Sequence, residues 1–156
     1  MKLLKETFIL RTFGLLKIPM IFFLRPSVVD VSEKRIEIKI PLSRRSKNHL
    51  NGMYFGALSV GADCAGGILA LRLIHKRKEK ISLIFKDFKA DFLKRAEADV
   101  HFSCEDGDAI TELVERAIKS GERENLAVNV TATTPKKTGK EPIARFVLTL
   151  SLKKKA

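Results

Sequence analysis

One acidic residue, Asp63, interrupts a largely apolar run at residues 53–74. Burying an unpaired carboxylate among apolar side chains is costly, so a residue of this kind is seldom retained for stability alone. In a dry site, a carboxylate can act as a general base towards water or attack a carbonyl directly. We therefore favour a catalytic role for Asp63 over a structural hydrogen-bonding role.

The start of the same run has features that could stabilise a developing oxyanion. If the run is a helix, its first turn presents free backbone N–H groups with a partial positive charge. Gly56 lies there, and glycine allows a substrate carbonyl to approach the backbone closely. Asp63 would lie about 10 Å further along the axis. Two groups so far apart on one helix do not readily share a single carbonyl.

The apolar run predicts a buried helix from about residue 52 to residue 75, because it is apolar nearly all round and too long for a strand. It is also long enough to cross a bilayer, but Asp63 near its centre favours a core helix in a folded domain. Glycines in the run weaken a helix by up to about 1 kcal/mol each, so we expect them to allow a surrounding sheet to approach closely. They are Gly56, Gly61, Gly66 and Gly67.

The flanking segments predict the elements that position this helix. Residues 2–16 predict an amphipathic helix, followed by a hydrophobic connector between Pro19 and Pro26. Asn48 or Asn51 could cap the central helix. Strict alternation or β-rich composition predicts strands at residues 35–42, 81–92 with a bulge near Lys86, 96–104, 125–134 and 142–152.

A short helix is predicted at residues 109–119, with Asp108 as its cap and Gly121 at its end. A basic turn at residues 135–141 joins the last two strands. The order of elements predicts an α+β fold in which an antiparallel sheet wraps around one long helix. We expect one domain over residues 1–156, with residues 1–20 as the N-terminal helix and connector.

Two segments resemble the hot-dog fold of the thioesterase superfamily, and in particular the phenylacetate-pathway type of acyl-CoA thioesterase and its relatives. The first, NHLNGMYFGALSVGADCAGG at residues 48–67, resembles that group's asparagine, loop, His-Gly-Gly turn and acidic residue nine positions after the histidine. The second, KADFLKRAEADV at residues 89–100, resembles its Asp-Phe-Leu-Arg-Pro-Ala signature. Together they cover about a fifth of the chain.

The resemblance implies a set of site residues. Asn48 matches the motif asparagine and Asp63 the catalytic carboxylate, whereas Tyr54 stands in place of the histidine. Phe55 and Gly56 fall on the glycine pair, so the turn that shapes the oxyanion site departs from the family pattern at Tyr54 and Phe55. The resemblance also implies a homodimer or tetramer, in which the helix start of one subunit and the carboxylate of another form the site.

The formal charge of +12 favours anionic partners. Coenzyme A, as part of an acyl-CoA substrate, would supply such phosphates, and Arg72, Lys136, Lys137 and the motif residue Phe55 are candidates to contact it. No separate cofactor is expected. No aromatic-interleaved strand or recognition helix is present, so nucleic acid is disfavoured.

The cysteines and histidines favour no metal site and no disulfide. Cys64 and Cys104 lie in apolar stretches and form no Cys-x-x-Cys pair, which is typical of buried thiols in a reducing compartment. The three histidines lack zinc-ligand spacing. We therefore expect a cytoplasmic protein.

Three functions remain open at this level. The first is an acyl-CoA thioesterase. The second is a non-catalytic module that binds acyl chains or acyl thioesters, which the Tyr54 and Phe55 departures favour. The third, compatible with both, is association with a membrane surface through the N-terminal helix and the basic residues.

Overall fold

The computed structural model describes residues 2–156, which form six strands and five helices. A long helix lies against one face of a single antiparallel sheet. The first two helices of the chain cover the side of this long helix that faces away from the sheet. In chain order the elements are α1 (Lys2–Lys17), α2 (Pro19–Leu24), β1 (Ser27–Val31), β2 (Ile36–Ile40), α3 (Phe55–Lys76), β3 (Ile81–Phe92), β4 (Val100–Cys104), α4 (Gly107–Ser120), β5 (Glu124–Thr133), α5 (Pro135–Thr138) and β6 (Pro142–Lys154).

The sheet has the strand order β1-β2-β4-β5-β6-β3, with every neighbouring pair antiparallel. β3 therefore does not pair with β4, which follows it in sequence, but with β6 at the end of the chain. This places the twelve-residue β3 at one edge of the sheet. The predicted α+β fold, with a sheet around one long helix, an extra N-terminal helix and a short helix between strands, is confirmed.

Gly61, Gly66 and Gly67 allow side chains of the sheet to approach α3, as expected, whereas the space beside Gly56 is occupied by the Tyr54 ring instead. A Cβ atom added at Gly61 would lie 2.2 Å from the ring of Phe102 on β4, which no real contact permits. Phe102 itself is completely buried and packs against Phe146 of β6, with ring centroids 6.4 Å apart. α3 passes the length and composition test for a membrane-spanning helix, but most of its apolar residues pack in this core.

The predicted bulge in β3 is present. The pairing with β6 shifts between Phe85 and Asp87, which leaves Lys86 as the extra residue. The bulge reverses which side chains face α3, because side chains alternate along a strand and one extra residue changes their parity. Phe85 consequently points towards α3 near Gly67.

The predicted connector between Pro19 and Pro26 is wrong. Residues 19–24 form α2, with Pro19 in its first turn, where the missing N–H is not needed. Arg25 ends it in the left-handed conformation, and β1 follows directly. Sequence periodicity misses both elements because each is too short to show one.

The N-terminal helix has its predicted bounds, but its amphipathic character is wrong. Leu10 packs into the core, whereas Leu4, Phe8 and Leu16 lie in solvent. Apolar residues therefore occupy both faces of α1. The sequence pattern could not reveal this because it does not say which face the fold covers.

Two cap predictions are also wrong. Tyr54 precedes the first turn of α3, and neither Asn48 nor Asn51 caps it through a side chain. Asp106 rather than Asp108 precedes α4, and its carboxylate accepts a hydrogen bond from the backbone N–H of Asn129 at 2.7 Å. Gly121 ends α4 with a φ of +67°, as predicted.

Candidate active site

Asp63 lies in the middle of α3, on the side that faces away from the sheet core. Its side chain is half-buried and borders a cavity of about 290 Å³ between α1, α2, α3 and β3. Apart from Asp63 the lining is apolar: Phe13, Ile18, Ile21, Cys64, Gly67, Ile68, Leu71, Leu83 and Phe85. The carboxylate is therefore neither in bulk solvent nor sealed in the core.

The cavity raises the pKa of Asp63 above its ordinary value, because burial removes water from the charged form. Within the part of the chain that the structure describes, no cation or hydrogen-bond donor opposes this effect. Proton uptake is therefore easier for this carboxylate than for one in water. A raised pKa makes the carboxylate a stronger proton acceptor, which is what general-base catalysis requires.

Gly67 leaves the space into which the carboxylate points. A Cβ added at Gly67 would lie 3.3 Å from Oδ1 of Asp63 and 3.4 Å from the ring of Phe85. Gly67 follows Asp63 by four residues and so lies on the same face of α3. That spacing is the sequence signal that could have identified Gly67 as a site residue.

The start of α3 borders a different cleft, of about 540 Å³. Asn48, Tyr54 and Phe55 line it together with Phe92, the last residue of β3, and Leu93, which follows it. The N–H groups of the first helical turn receive no capping side chain, so they remain able to bind a negatively charged oxygen.

Tyr54 covers the backbone at the start of α3. A Cβ at Gly56 would lie 2.3 Å from the Tyr54 ring, so the ring lies directly over Gly56. A substrate carbonyl can reach Gly56 only if this ring, which is 48% exposed, rotates away. Phe55 meets Tyr54 at 4.8 Å and Phe92 at 6.3 Å between ring centroids. Aromatic rings thus replace the open glycine turn that the resemblance implies.

Asn48 shapes the loop before α3. Its Oδ1 accepts hydrogen bonds from the backbone N–H groups of Leu50 at 2.9 Å and Gly52 at 3.2 Å. Its own backbone N–H donates to the carbonyl of Gly52 at 2.7 Å. These bonds fix a tight loop in which Asn51 has a φ of +63°.

The basic candidates for coenzyme A contact belong to two elements: Arg72 lies on α3, and Lys136 and Lys137 lie on α5. Arg72 forms an ion pair with Glu6 at 2.5 Å, which already neutralises its charge. Lys137 pairs with Glu97, whereas Lys136 is exposed beside it on α5. Arg72 on α3 and the two lysines on α5 therefore remain alternative candidates for contact with coenzyme A phosphates.

The sequence-predicted site residues form two groups. Asn48, Tyr54, Phe55 and Gly56 lie at the start of α3, while Asp63 lies in the cavity beneath α1 and α2. The two groups do not converge within one chain, as the 10 Å separation along a helix predicts. Across residues 2–156, no cluster of three or more His, Cys, Asp or Glu side chains could hold a metal ion.

Sequence reasoning missed the wall of the Asp63 cavity. In that wall, Phe13 belongs to α1, Ile18 to the link between α1 and α2, and Ile21 to α2. Phe85 is the residue just before the bulge in β3. None of these carries a chemical group that marks a site, so only the tertiary arrangement identifies them.

Comparison of sequences shows that residues 7–151 match the profile of the family described as "Domain of unknown function (DUF4442)". No curated protein matches the chain in sequence. Solved structures, however, match over almost its full length.

A protein from Shewanella oneidensis, proposed to be a thioesterase, is 14% identical with a TM-score of 0.79, and the match covers 94% of this chain and 97% of that one. A Pseudomonas aeruginosa protein of unknown function, also proposed to be a thioesterase, is 21% identical with a TM-score of 0.78, covering 96% of each chain. A thioesterase from Haemophilus influenzae is 15% identical with a TM-score of 0.68, covering 92% and 88%. The expected hot-dog fold is therefore confirmed.

Proposed function

Because this chain belongs to the DUF4442 family and has the fold of the thioesterases described above, we propose that it hydrolyses acyl thioesters, with acyl-CoA as the substrate class. The observation that carries the proposal is Asp63. It is an unpaired carboxylate with a raised pKa, and it borders an apolar cavity large enough for part of an acyl chain. Such a cavity suits an apolar acyl group better than a polar one.

In the proposed reaction, Asp63 removes a proton from a water molecule as the water oxygen attacks the thioester carbonyl carbon. The carbonyl oxygen becomes an oxyanion and accepts hydrogen bonds from N–H groups at the start of α3. Collapse of this intermediate breaks the carbon–sulfur bond, and the proton held by Asp63 passes to the thiolate. The products are a carboxylic acid and a free thiol, here coenzyme A.

The two groups of site residues are proposed to meet across a homodimer, which could further pair into a tetramer. β3 supports this, because it pairs only with β6 and leaves its other edge free among the described residues. Long free edges of this kind readily accept another strand. The edge also presents exposed Ile84, Phe88 and Phe92. Asp63 of one subunit would then act with Gly56 of the other. We propose that the enzyme is cytoplasmic.

Thiol release from a panel of acyl-CoA esters of increasing chain length tests the activity. We expect Asp63→Asn to lower kcat by about 100-fold or more, the usual contribution of a general base. Glu112→Gln makes the same acid-to-amide change at an exposed position on α4 and should retain wild-type activity. Equal turnover by wild type and Asp63→Asn would refute the assignment.

Mixing two inactive variants tests the shared site. Gly56→Val should be inactive because its side chain would collide with the Tyr54 ring. Dimers formed by one Gly56→Val and one Asp63→Asn subunit would retain one intact site. Random exchange should then restore about a quarter of wild-type activity, given the two-fold symmetry of such dimers. No recovery after demonstrated exchange would show that each site lies within one chain.

A second candidate is a module that binds acyl thioesters without hydrolysing them. The Tyr54 ring over Gly56 favours it, because that ring blocks the helix start. In this case an acyl-CoA ester would raise the melting temperature without releasing thiol. Thiol release abolished by Asp63→Asn would exclude this candidate.

A further inference from the structure

The helical pair α1–α2 and the link between the two helices expose many large apolar side chains. Leu4, Phe8 and Leu16 are 74%, 71% and 71% exposed. Isolated exposed apolar residues are normal, but a concentration of them marks an interaction surface. The α1–α2 surface is defined here by its ten exposed large apolar side chains: Leu3, Leu4, Phe8, Ile9, Leu15, Leu16, Ile18, Met20, Phe22 and Phe23.

Helical geometry gathers many of these residues on the outer side. Leu4, Phe8 and Leu15 are separated by four and seven positions, so they form one stripe along α1. Leu10 and Gly14 lie on the opposite side and are buried. α2 likewise buries Ile21 and Leu24 while exposing Met20 and Phe23. The outer face is therefore available to a partner without disturbing the core.

The charges around this surface are almost all positive. Residues 2–25 contain five basic residues and one acid, and that acid, Glu6, is paired with Arg72. Lys5, Lys17 and Arg25 are exposed, and no carboxylate pairs with them among the described residues.

Arg45, from the loop before α3, also lies at this surface. Its guanidinium carbon is 5.3 Å from the centre of the Phe23 ring. A basic side chain from a separate part of the chain therefore joins the positive border. Apolar residues bordered by unpaired cations have the composition of surfaces that lie in the headgroup region of a bilayer.

We propose that the α1–α2 surface docks on an anionic lipid bilayer. Its apolar side chains would enter the headgroup–acyl boundary while Lys5, Lys17, Arg25 and Arg45 contact anionic headgroups. A second copy of this chain fits less well. A two-fold contact places the same patch on both sides, and it would oppose these unpaired cations with their own copies.

The surface adjoins the Asp63 cavity. Ile18 belongs to the α1–α2 surface and, with Phe13 and Ile21, lines that cavity. An acyl chain leaving a bilayer under α1 and α2 would therefore reach the cavity without crossing bulk water. This link rests on the proposed function, whereas docking does not, so the two can fail separately.

Co-sedimentation with vesicles tests docking. Wild type should sediment with phosphatidylcholine vesicles containing about 30 mol% phosphatidylglycerol and much less with pure phosphatidylcholine, and salt should release it. Phe8→Ser/Leu16→Ser should lower the partition coefficient at least tenfold, because both changes remove large apolar side chains that would leave water on docking. Lys17→Glu/Arg25→Glu should weaken binding to the anionic vesicles only.

Leu50→Ser is the matched control for the Leu16→Ser change in the double variant. Leu50 is 57% exposed but lies in the loop before α3, away from the α1–α2 surface. It should bind vesicles like wild type. All variants alter exposed side chains, and circular dichroism should show an unchanged fold. Wild type that remains in the supernatant with both vesicles, or Phe8→Ser/Leu16→Ser that sediments like wild type, would overturn the proposal. If instead this variant changes the mass in light scattering and wild type binds no vesicles, the surface contacts a second copy.

Discussion

The two sides of α3 meet the rest of the molecule in opposite ways. On the sheet side, the ring of Phe102 occupies the space that a side chain at Gly61 would need. On the side beneath α1 and α2, Asp63 and Gly67 border a cavity of about 290 Å³. The same helix is thus packed to contact distance on one side and held open on the other.

The difference separates stability from chemistry within one element. Dense packing on the sheet side fixes the position of α3, and cores of this density tolerate little added volume. The cavity side leaves a carboxylate poorly solvated, which opposes folding but suits a proton acceptor. Overpacking the sheet side should therefore destabilise the protein, whereas removing the Asp63 charge should stabilise it. The predictions below run from the largest effect to the smallest.

Gly61→Ala should destabilise the protein by about 2–3 kcal/mol, the range for overpacking a core. The added methyl would meet the Phe102 ring at 2.2 Å, and that ring is completely buried against Phe146. Urea unfolding measures the change in the free energy of unfolding. A wild-type midpoint would show that the ring can move aside, which would remove the contrast between the two sides.

Asp63→Asn should stabilise the protein by about 1 kcal/mol at pH 7, as is common when a functional group is replaced. The pKa of Asp63 is raised in the folded state, so between the unfolded and folded pKa values the folded protein binds more protons than the unfolded one. Stability of the wild type should then fall as pH rises through that interval.

Melting temperatures of wild type and Asp63→Asn across this range test the sign. The two proteins should converge below the ordinary aspartate pKa of about 3.9 and separate as pH rises. The kcat/KM of wild type should rise over the same interval, because the proposed base acts when deprotonated. Identical melting curves at pH 7 would show that the Asp63 charge is well solvated.

Gly67→Ala should leave the fold intact but lower thioesterase activity several-fold. Its methyl would lie 3.3 Å from Oδ1 of Asp63 and 3.4 Å from Phe85, so the carboxylate must shift by a few tenths of an ångström. Catalytic geometry is sensitive to shifts of this order. Steady-state kinetics measure the effect on activity, and a melting curve measures the effect on stability. Unchanged kcat and KM would argue against catalysis at this position.

Gly66→Ala should have the smallest effect, a gain of about 0.5 kcal/mol from better helix propensity. Its methyl would make ordinary contact with Val128 at 3.4 Å. It is the matched control for Gly61→Ala, because both change a buried glycine of α3 to alanine. A loss as large as that of Gly61→Ala would mean that the sheet packs tightly along the whole helix.

Several elements were predictable because their signals are local. The apolar length of α3, the alternation in β2 and the phase change that places a bulge at Lys86 can all be read along the chain. By contrast, the predicted strand at residues 96–104 begins only at Val100. The carbonyl of Ala96 instead accepts a hydrogen bond from the N–H of Met53 at 2.7 Å, a distant partner that no local pattern reveals.

Of the candidate site residues, only the charged one, Asp63, was predictable from the sequence with its environment. A carboxylate in an apolar helix stands out in any sequence, so Asp63 was identified without coordinates. The covering of Gly56 by the Tyr54 ring and the pairing of Arg72 with Glu6 were not, because both depend on where flexible side chains meet. The phosphate-binding role of Arg72 stays a prediction.

The sequence alone predicted that a glycine-bearing apolar helix lies against a sheet, because the chain around it is patterned as strands and its glycines allow close approach. It also determined that Asp63 would be desolvated. Only the tertiary structure decided that α1, α2 and the link between them cover the carboxylate with apolar side chains while nine other large apolar side chains of this segment face outward. The physical reason is that hydrophobicity specifies which side chains leave water, whereas contacts between distant segments decide which neighbours they find.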